Sequence, residues 1–470
     1  MWVIWIIGIR REGRWNVYLW YQYTVQLKKR VGGTIMSQSL IVAIILIVMI
    51  VSFFAGYIPM AATALAVPMF LQITGVLSFK DAWAGFSSST VISLVVLFIL
   101  GGILNQTTFL EDLKQFVVTK LGAGAKGKRR VLLAAMLMSV VFSTFASPVS
   151  AMAIMLPIVV AIAKDTGLPV KNTIKACTDV ACSSNNVLPV GPALTAYITF
   201  NGYLEAAGAT ERFRFADPFL AKVPIFLVFF LYIYFIGFKH YAKNGDVKVP
   251  EAGESAAKKA DRKKAELTPF QNKLGKILFF GSAAAMIITS TFTSIDLYIV
   301  GGIAILIALA AGVINQKEAI RSIRWETIFI YGGTVSLSTA MNDSGLNEII
   351  ATGISSILGG VTNVYIVAGV FFLTSFIMTQ FTSNRTVGAV FRPLSIAAAV
   401  GLGMDPRFTL LAIHYGSSLS NLTPMATSAQ LLAFNEGGFK MKEFVLGSIG
   451  PALIYFITFM VWFPICFSVL

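Results

Sequence analysis

Apolar positions in this chain neither alternate nor recur on a single helical face; they run on without interruption. Residues 38–79, 84–110, 131–163, 349–384 and 445–470 carry no Asp, Glu, Lys or Arg. Each run is long enough for a helix to cross a hydrocarbon core of about 30 Å. Divided at their turn residues and extended into the rest of the chain, they predict crossings at 38–58, 60–76, 84–110, 174–200 and 219–238, and again at 277–295, 297–315, 327–342, 408–435 and 445–469. Two further apolar stretches, 131–164 and 362–402, are broken in the middle. Ser147-Pro148-Val149 interrupts the first and Ser383-Asn384-Arg385 the second. These are expected to be re-entrant hairpins, entering and leaving on one side.

The polar positions set the orientation. Residues 241–276 are charged and basic, and are expected to form a partly disordered cytoplasmic linker. Counting outward from it, the loops on the inside (111–130, 164–175, 239–276, 316–326 and 436–444) hold 24 Lys or Arg. The outer side holds five: Lys80, Arg212, Arg214, Lys222 and Arg407. Cytoplasmic loops collect basic residues, and the bias would invert beyond either hairpin if that hairpin crossed. Residues 1–35 fit this scheme poorly, because Lys28, Lys29 and Arg30 would precede a crossing that starts outside. Met36 is the expected initiator; the alternative is an additional crossing or an interfacial helix.

Composition changes the picture by exclusion. Hydrophobic residues make up 56% of the 470 and charged residues 13%, about half the usual charged share of a soluble domain, roughly 25%. The net charge of +15 therefore belongs to membrane loops rather than to nucleic-acid binding. Cys177, Cys182 and Cys466 have neither metal spacing nor a pairing pattern.

The hairpins are related. At an offset of 236, residues 131–185 align with 367–421 without a gap and share 14 identities, among them Ser147, Pro157, Gly167, Ser184 and Asn185 with their partners. Five crossings per half is an odd number, so the second half must be inverted. The expected fold is an all-α polytopic membrane protein of two inverted repeats, each with five crossings and one re-entrant hairpin. The first repeat is 36–240, the linker 241–276 and the second repeat 277–470. Inverted repeats with broken helices characterise secondary transporters, with the site near the midplane. Four breaks supply it: the two tips, then 183–192 (Ser-Ser-Asn-Asn to Pro-Val-Gly-Pro) and 420–424 (Ser-Asn-Leu-Thr-Pro). Their Ser, Asn and Thr residues offer oxygens for a cation and donors for a carboxylate, and helix N-termini at the tips suit an anion. The bland alternative is that these side chains only cap broken helices.

Ionisable residues inside a membrane are costly and usually functional. Arg385 lies in the second tip, where it could bind a substrate carboxylate or stand in for a cation. Arg392, two turns on, is expected nearer the outer surface. Asp179 and His414 occupy adjacent slots in opposite halves and could carry a proton; Asp179 is equally placed for a solvated or capping role near the start of its helix.

From about residue 45 onward the chain resembles the divalent anion:sodium symporters of the ion transporter superfamily. The likeness rests on GYIPMAATALAVPMFLQITGVLSFKDAWAGFSSSTVI, on SNRTVGAVFRPLSIA with Pro393 ten residues after Ser383 as Pro157 follows Ser147, and on NLTPMAT. It implies a homodimer of scaffold and transport domains moving by an elevator shift, in a cell membrane that short loops suggest is a bacterial inner membrane. It implies substrate binding at Ser147, Ser383, Asn384 and Thr427; with the tip residues Arg385 and Thr386 these are the candidate substrate ligands. Ion binding would fall to Ser147, Asn185, Gly191, Ser383, Asn384 and Asn421, where a sodium ion could sit; no other cofactor and no nucleic-acid partner is implied. Candidate cargo is a small organic anion such as a di- or tricarboxylate, coupled to sodium or exchanged. The chain departs from the family pattern at Pro148, where an amide is lost, and at Arg385, which replaces Thr. Proton-coupled or uncoupled carriage of sulfate, a sugar acid or arsenite on the same fold is the alternative. A channel would not need paired breaks. An enzyme or a self-powered pump finds no support: there is no HExxH or GxxxxGK[ST], and His240 and His414 are the only histidines.

Overall fold

A computed structural model describes residues 37–109, 111–112, 115, 127–145, 147–184, 187, 192–242, 267–292, 296–357 and 363–469. The N-terminal extension, nearly all of the linker, Asn185, Gly191 and Pro189 lie outside these residues. What is described is helical throughout, as expected.

In the first half, α1 (Gln38–Ala55), α2 (Met60–Ile73), the short α3 (Phe79–Trp83) and α4 (Ser89–Gln106) precede the hairpin arms α5 (Lys128–Phe145) and α6 (Pro148–Thr166). Then come α7 (Val170–Ser183), α8 (Pro192–Ala206) and α9 (Asp217–Phe235). The second half repeats the order: α10 (Pro269–Phe292), α11 (Leu297–Ala310), the short α12 (Gln316–Ser322) and α13 (Trp325–Asp343). After α14 (Leu346–Ile357) follow the arms α15 (Val364–Thr379) and α16 (Asn384–Gly401), then α17 (Pro406–Ser418), α18 (Ser428–Glu436) and α19 (Met441–Val469). Helices stand at each expected crossing, those at 174–200 and 408–435 in two pieces each, and among the described residues five helices are long and apolar enough to cross a membrane. The separate α14 was not anticipated, because its residues merge by hydropathy with the apolar run 349–384.

Local chemistry makes the hairpins alike. Ser147 and Ser383 are N-caps with φ −69° and ψ 152° or 144°, each accepting from the amide three residues on. Pro148 occupies the first helical position, where its missing N–H costs nothing. Gly167 and Gly403, partners at the offset of 236, both adopt φ +65° just after their helices, a conformation that favours glycine. Pro157 and Pro393 sit inside the returning arms. The first hairpin closes at its base, where Lys128 Nζ donates to the Gly167 carbonyl at 3.0 Å. The chain therefore leaves and returns at the same end. Its arm α6 has 19 residues and is itself apolar and long enough to cross a membrane, longer than a path to the midplane requires.

The helices pack into one large body and two flanking ones. The large core joins both hairpins with α7, α8, α9, α17, α18 and α19, and also takes in Val91 and Leu94 of α4 and Ile328, Tyr331 and Val335 of α13. α7 and α17 each pack against both arms of the preceding hairpin and are buried along almost their whole length. One flanking core is built from α1, α2 and α13, together with part of α16; the other is built mainly from α4, α10 and α11. α2 and α13 touch backbone to backbone: a Cβ at Gly333 would collide with the Ala64 carbonyl, the small-residue contact by which membrane helices associate. Leu40, Ile44, Ile47 and Val51 on α1 and Ile303, Leu306 and Ile307 on α11 stay exposed. In water such apolar faces would be a liability; in a bilayer they are the solvent-facing surface.

Candidate functional site

The second hairpin tip is tied to the second break. Thr379 Oγ1 donates to Asn384 Oδ1 at 2.6 Å and lies 3.0 Å from the Ser417 carbonyl. Asn384 Nδ2 donates to Ser420 Oγ at 3.2 Å. The unwound backbone after α17 needs partners; Gln380 supplies two and holds a side chain of the same segment with a third bond. Its Nε2 donates to the Leu419 carbonyl (3.0 Å), its Oε1 accepts from the Leu422 amide (3.0 Å), and its own carbonyl accepts from Thr423 Oγ1 (2.6 Å). The first half echoes the arrangement. Ser143 and Ser184, which the offset of 236 pairs with Thr379 and Ser420, share a hydrogen bond of 2.5 Å.

The capping alternative is what Ser147, Ser383 and Thr427 display: their hydroxyls accept from the amides of Ser150, Thr386 and Gln430 at 3.1, 3.1 and 3.2 Å. Beyond its capping bond, the Ser147 hydroxyl also lies 3.0 Å from Ser150 Oγ. Thr386 adds its own hydroxyl 2.7 Å from Ser383 Oγ. Thr427 also meets the other half, 3.8 Å from Cys182 Sγ. Asn421 behaves differently. It is fully buried, and neither side-chain amide atom has a partner. Buried polar groups are normally satisfied, so this orphan amide beside the tip marks a place for something else.

Arg385 is not brought to the other tip residues. Its Nη1 reaches Glu326 Oε2 on α13 at 2.7 Å, in an exposed pair. Asn185 and Gly191 lie outside the described residues.

Three of the sequence expectations need correction. Lys175, counted among inner-loop cations, is fully buried within α7, and Asp179 is neither solvated nor capping. Lys175 Nζ donates to Asp179 Oδ1 (2.6 Å), Gln430 Oε1 (3.1 Å) and the Asn421 carbonyl (2.9 Å). Asp179 also accepts from Gln430 Nε2 (2.8 Å) and the Tyr241 hydroxyl (2.7 Å). The signal was available, because positions i and i+4 share a helix face. Lys222, counted at the outer boundary, is likewise fully buried in α9, where its Nζ donates to the Tyr455 hydroxyl at 2.5 Å. Removing both from the loop count leaves the basic bias intact.

Apolar helices, paired breaks and polar tips define a membrane transporter rather than an enzyme, and comparison with known proteins agrees. Residues 41–413 match the family model described as citrate transporter (CitMHS), and the chain belongs to that family, within the divalent anion:sodium symporter and ion transporter grouping. An uncharacterised transporter of Haemophilus influenzae is 28% identical over 169 residues, 35% of this chain but only 36% of that protein. The sodium-dependent dicarboxylate transporter SdcS of Staphylococcus saprophyticus is 24% identical over 84% of this chain and 79% of its own. Among solved structures, the YdaH transporter of Alcanivorax borkumensis shares the fold, with TM-score 0.57 and 12% identity over 92% of this chain and 98% of that one.

Proposed function

We propose that this protein is a secondary carrier of small organic anions, with di- or tricarboxylates as the first candidates, working by an elevator shift. The observation that carries this reading is the coupling of the second hairpin tip to the second break around the unpartnered Asn421 amide. The free N–H groups of α16 face an anion there, and the Asn421 amide oxygen suits a cation or its nitrogen a carboxylate. The two inverted halves belong to the same proposal, supported by the matched caps and the parallel element order. The large core holding both hairpins would move against the flanking cores, whose backbone-close α2–α13 contact suits a rigid scaffold. The homodimer that the family resemblance implies, and its place in a bacterial inner membrane, are part of the same reading.

Two couplings remain open to such a carrier, and one observation favours exchange over sodium symport. The Asn421 carbonyl, an oxygen of the kind sodium would use, already receives the Lys175 ammonium at 2.9 Å. Arg385, the other candidate substitute cation, is matched by Glu326.

The test is uptake of labelled succinate or citrate by proteoliposomes under a sodium gradient, under a proton gradient, and with unlabelled substrate inside. Uptake that needs only internal substrate is the expected result; uptake that collapses without sodium would instead establish symport. Asn421→Ala sharpens the site assignment. It removes two unsatisfied buried groups, so the unfolding midpoint should hold or rise, while transport falls at least tenfold. An unchanged uptake rate in this variant would overturn the assignment of Asn421.

A further inference from the structure

α16 presents a stripe that the tip assignment does not exhaust. Asn384, Gly388 and Arg392 are spaced four apart, on one face of the helix. The first of them holds the second break through Ser420. The last sends its side chain back toward the tip, as helical side chains do. A Cβ placed on Gly388 would lie 2.8 Å from both Arg392 Cζ and Nη2, so the guanidinium lies against the backbone of Gly388, about five residues and ~7.5 Å along the helix from the Ser383 cap. A side chain at position 388 would push it aside.

The surroundings of that charge are unusual. Its Cζ stands 5.7 Å over the Phe200 ring of α8, and the Tyr203 hydroxyl lies against it. The His414 ring of α17 packs edge-on to the same Phe200 at 4.9 Å. Arg392 Nε is buried without a hydrogen-bond partner. Among the described residues the ion-paired arginines are Arg385, with Glu326, and Arg407, with Asp405; Arg392 has no carboxylate of its own. A guanidinium that is only partly buried, lacks a counter-ion, and is aimed along the helix toward a tip rich in donors is a place for an anion brought from outside. The first half offers no equivalent, since the offset of 236 places Leu156 there.

We infer that Arg392 is the second anchor of a substrate with two anionic groups, one held at the Ser383–Asn384 tip and the other by this guanidinium; the inference rests on the tip being the substrate site. The role makes Arg392, rather than Arg385, the residue that selects dianions over monoanions.

The experiment compares wild type with Arg392→Gln, Arg392→Lys, Arg385→Gln and Asn384→Ala, each purified in detergent. Ligand binding is read from thermal shifts with succinate, citrate and monomethyl succinate, and transport from proteoliposome uptake. Arg392→Gln should weaken succinate at least tenfold and erase its advantage over monomethyl succinate; Arg392→Lys should keep part of that advantage and Arg385→Gln all of it. A purely structural role would shift ligand-free stability and leave the discrimination between dianion and monoanion unaltered, which overturns the inference. If Asn384→Ala weakens binding while Arg392→Gln does not, the inference fails and the tip site stands. If neither matters, or no dianion stabilises the wild type, both fall.

Discussion

Lys175 and Lys222 are both completely buried, yet the protein treats them in opposite ways. Lys175 spends its three donors on a carboxylate, an amide oxygen and a backbone carbonyl, and its ammonium also sits 4.0 Å over the Phe444 ring. Lys222 has one hydrogen bond, to the Tyr455 hydroxyl, and the faces of Tyr455 and Tyr415 at 4.9 and 5.1 Å. The offset of 236 pairs Asp179 with Tyr415, so the halves place a carboxylate and a phenol ring at equivalent points. In the first half a buried charge is neutralised and used to fasten α7 to the break and α18 of the other half. Lys222, on α9 of the same half, is instead held by two aromatic faces of the other half, whose quadrupoles attract a cation without cancelling it. Among the described ion pairs neither Lys222 nor Arg392 has a carboxylate, whereas Lys175 is paired with Asp179.

The comparison breaks most visibly at Asp179. Asp179→Asn strands the Lys175 ammonium in the interior, and removing one partner of a buried pair costs about 3–5 kcal/mol. The expected outcome is a large fall in the unfolding midpoint in detergent. The double variant Lys175→Met/Asp179→Leu should recover most of it, because apolar replacement of a whole buried pair is often neutral. Tyr241→Phe withdraws one donor from the carboxylate and should cost about 2 kcal/mol in the same assay. Lys222→Met leaves no acid unpaired. It loses one hydrogen bond and two ring contacts but also a desolvation penalty, so its effect should be about 1 kcal/mol of either sign. A Lys222→Met variant as damaged as Asp179→Asn would show that the two lysines are held alike.

The sequence made the hairpins legible because their signals are local: a polar interruption in an apolar run, Pro ten residues after the capping Ser, Gly at the helix end. The same pattern, doubled at a fixed offset, disclosed the repeat. The charge interior was not legible, because burial there is decided by partners 62 to 255 residues away, Tyr241 and Gln430 among them. Loop counting assigns any Lys near the end of an apolar run to the water, and Lys175 and Lys222 both sit five residues into their helices. Arg385 shows the converse. Its place in the tip is local information, but its Glu326 partner lies 59 residues back on α13.

The same chemistry at the surface sets the lower limit of the comparison. Lys276 on α10 forms an ion pair with Asp112, beyond the end of α4, where Thr108 Oγ1 also donates to the carboxylate at 2.9 Å. The hydrogen bond from Lys276 holds the Asp112 carboxyl below its ordinary range, against the opposing pull of slight burial. A depressed carboxyl stabilises the fold above its unfolded value, near pH 3.9, and that contribution is lost as pH falls through the folded value. Because the pair is solvent-screened, it should be worth less than about 1 kcal/mol. Unfolding midpoints of wild type and Lys276→Ala, measured from pH 7 down to pH 3, should differ slightly at neutral pH and converge on acidification, and raising the salt should shrink the neutral-pH gap. A gap that survived both acid and salt would place the pair with Lys175 and Asp179, as a lock between helices, and would mean that burial is not what separates the two kinds of charge in this protein.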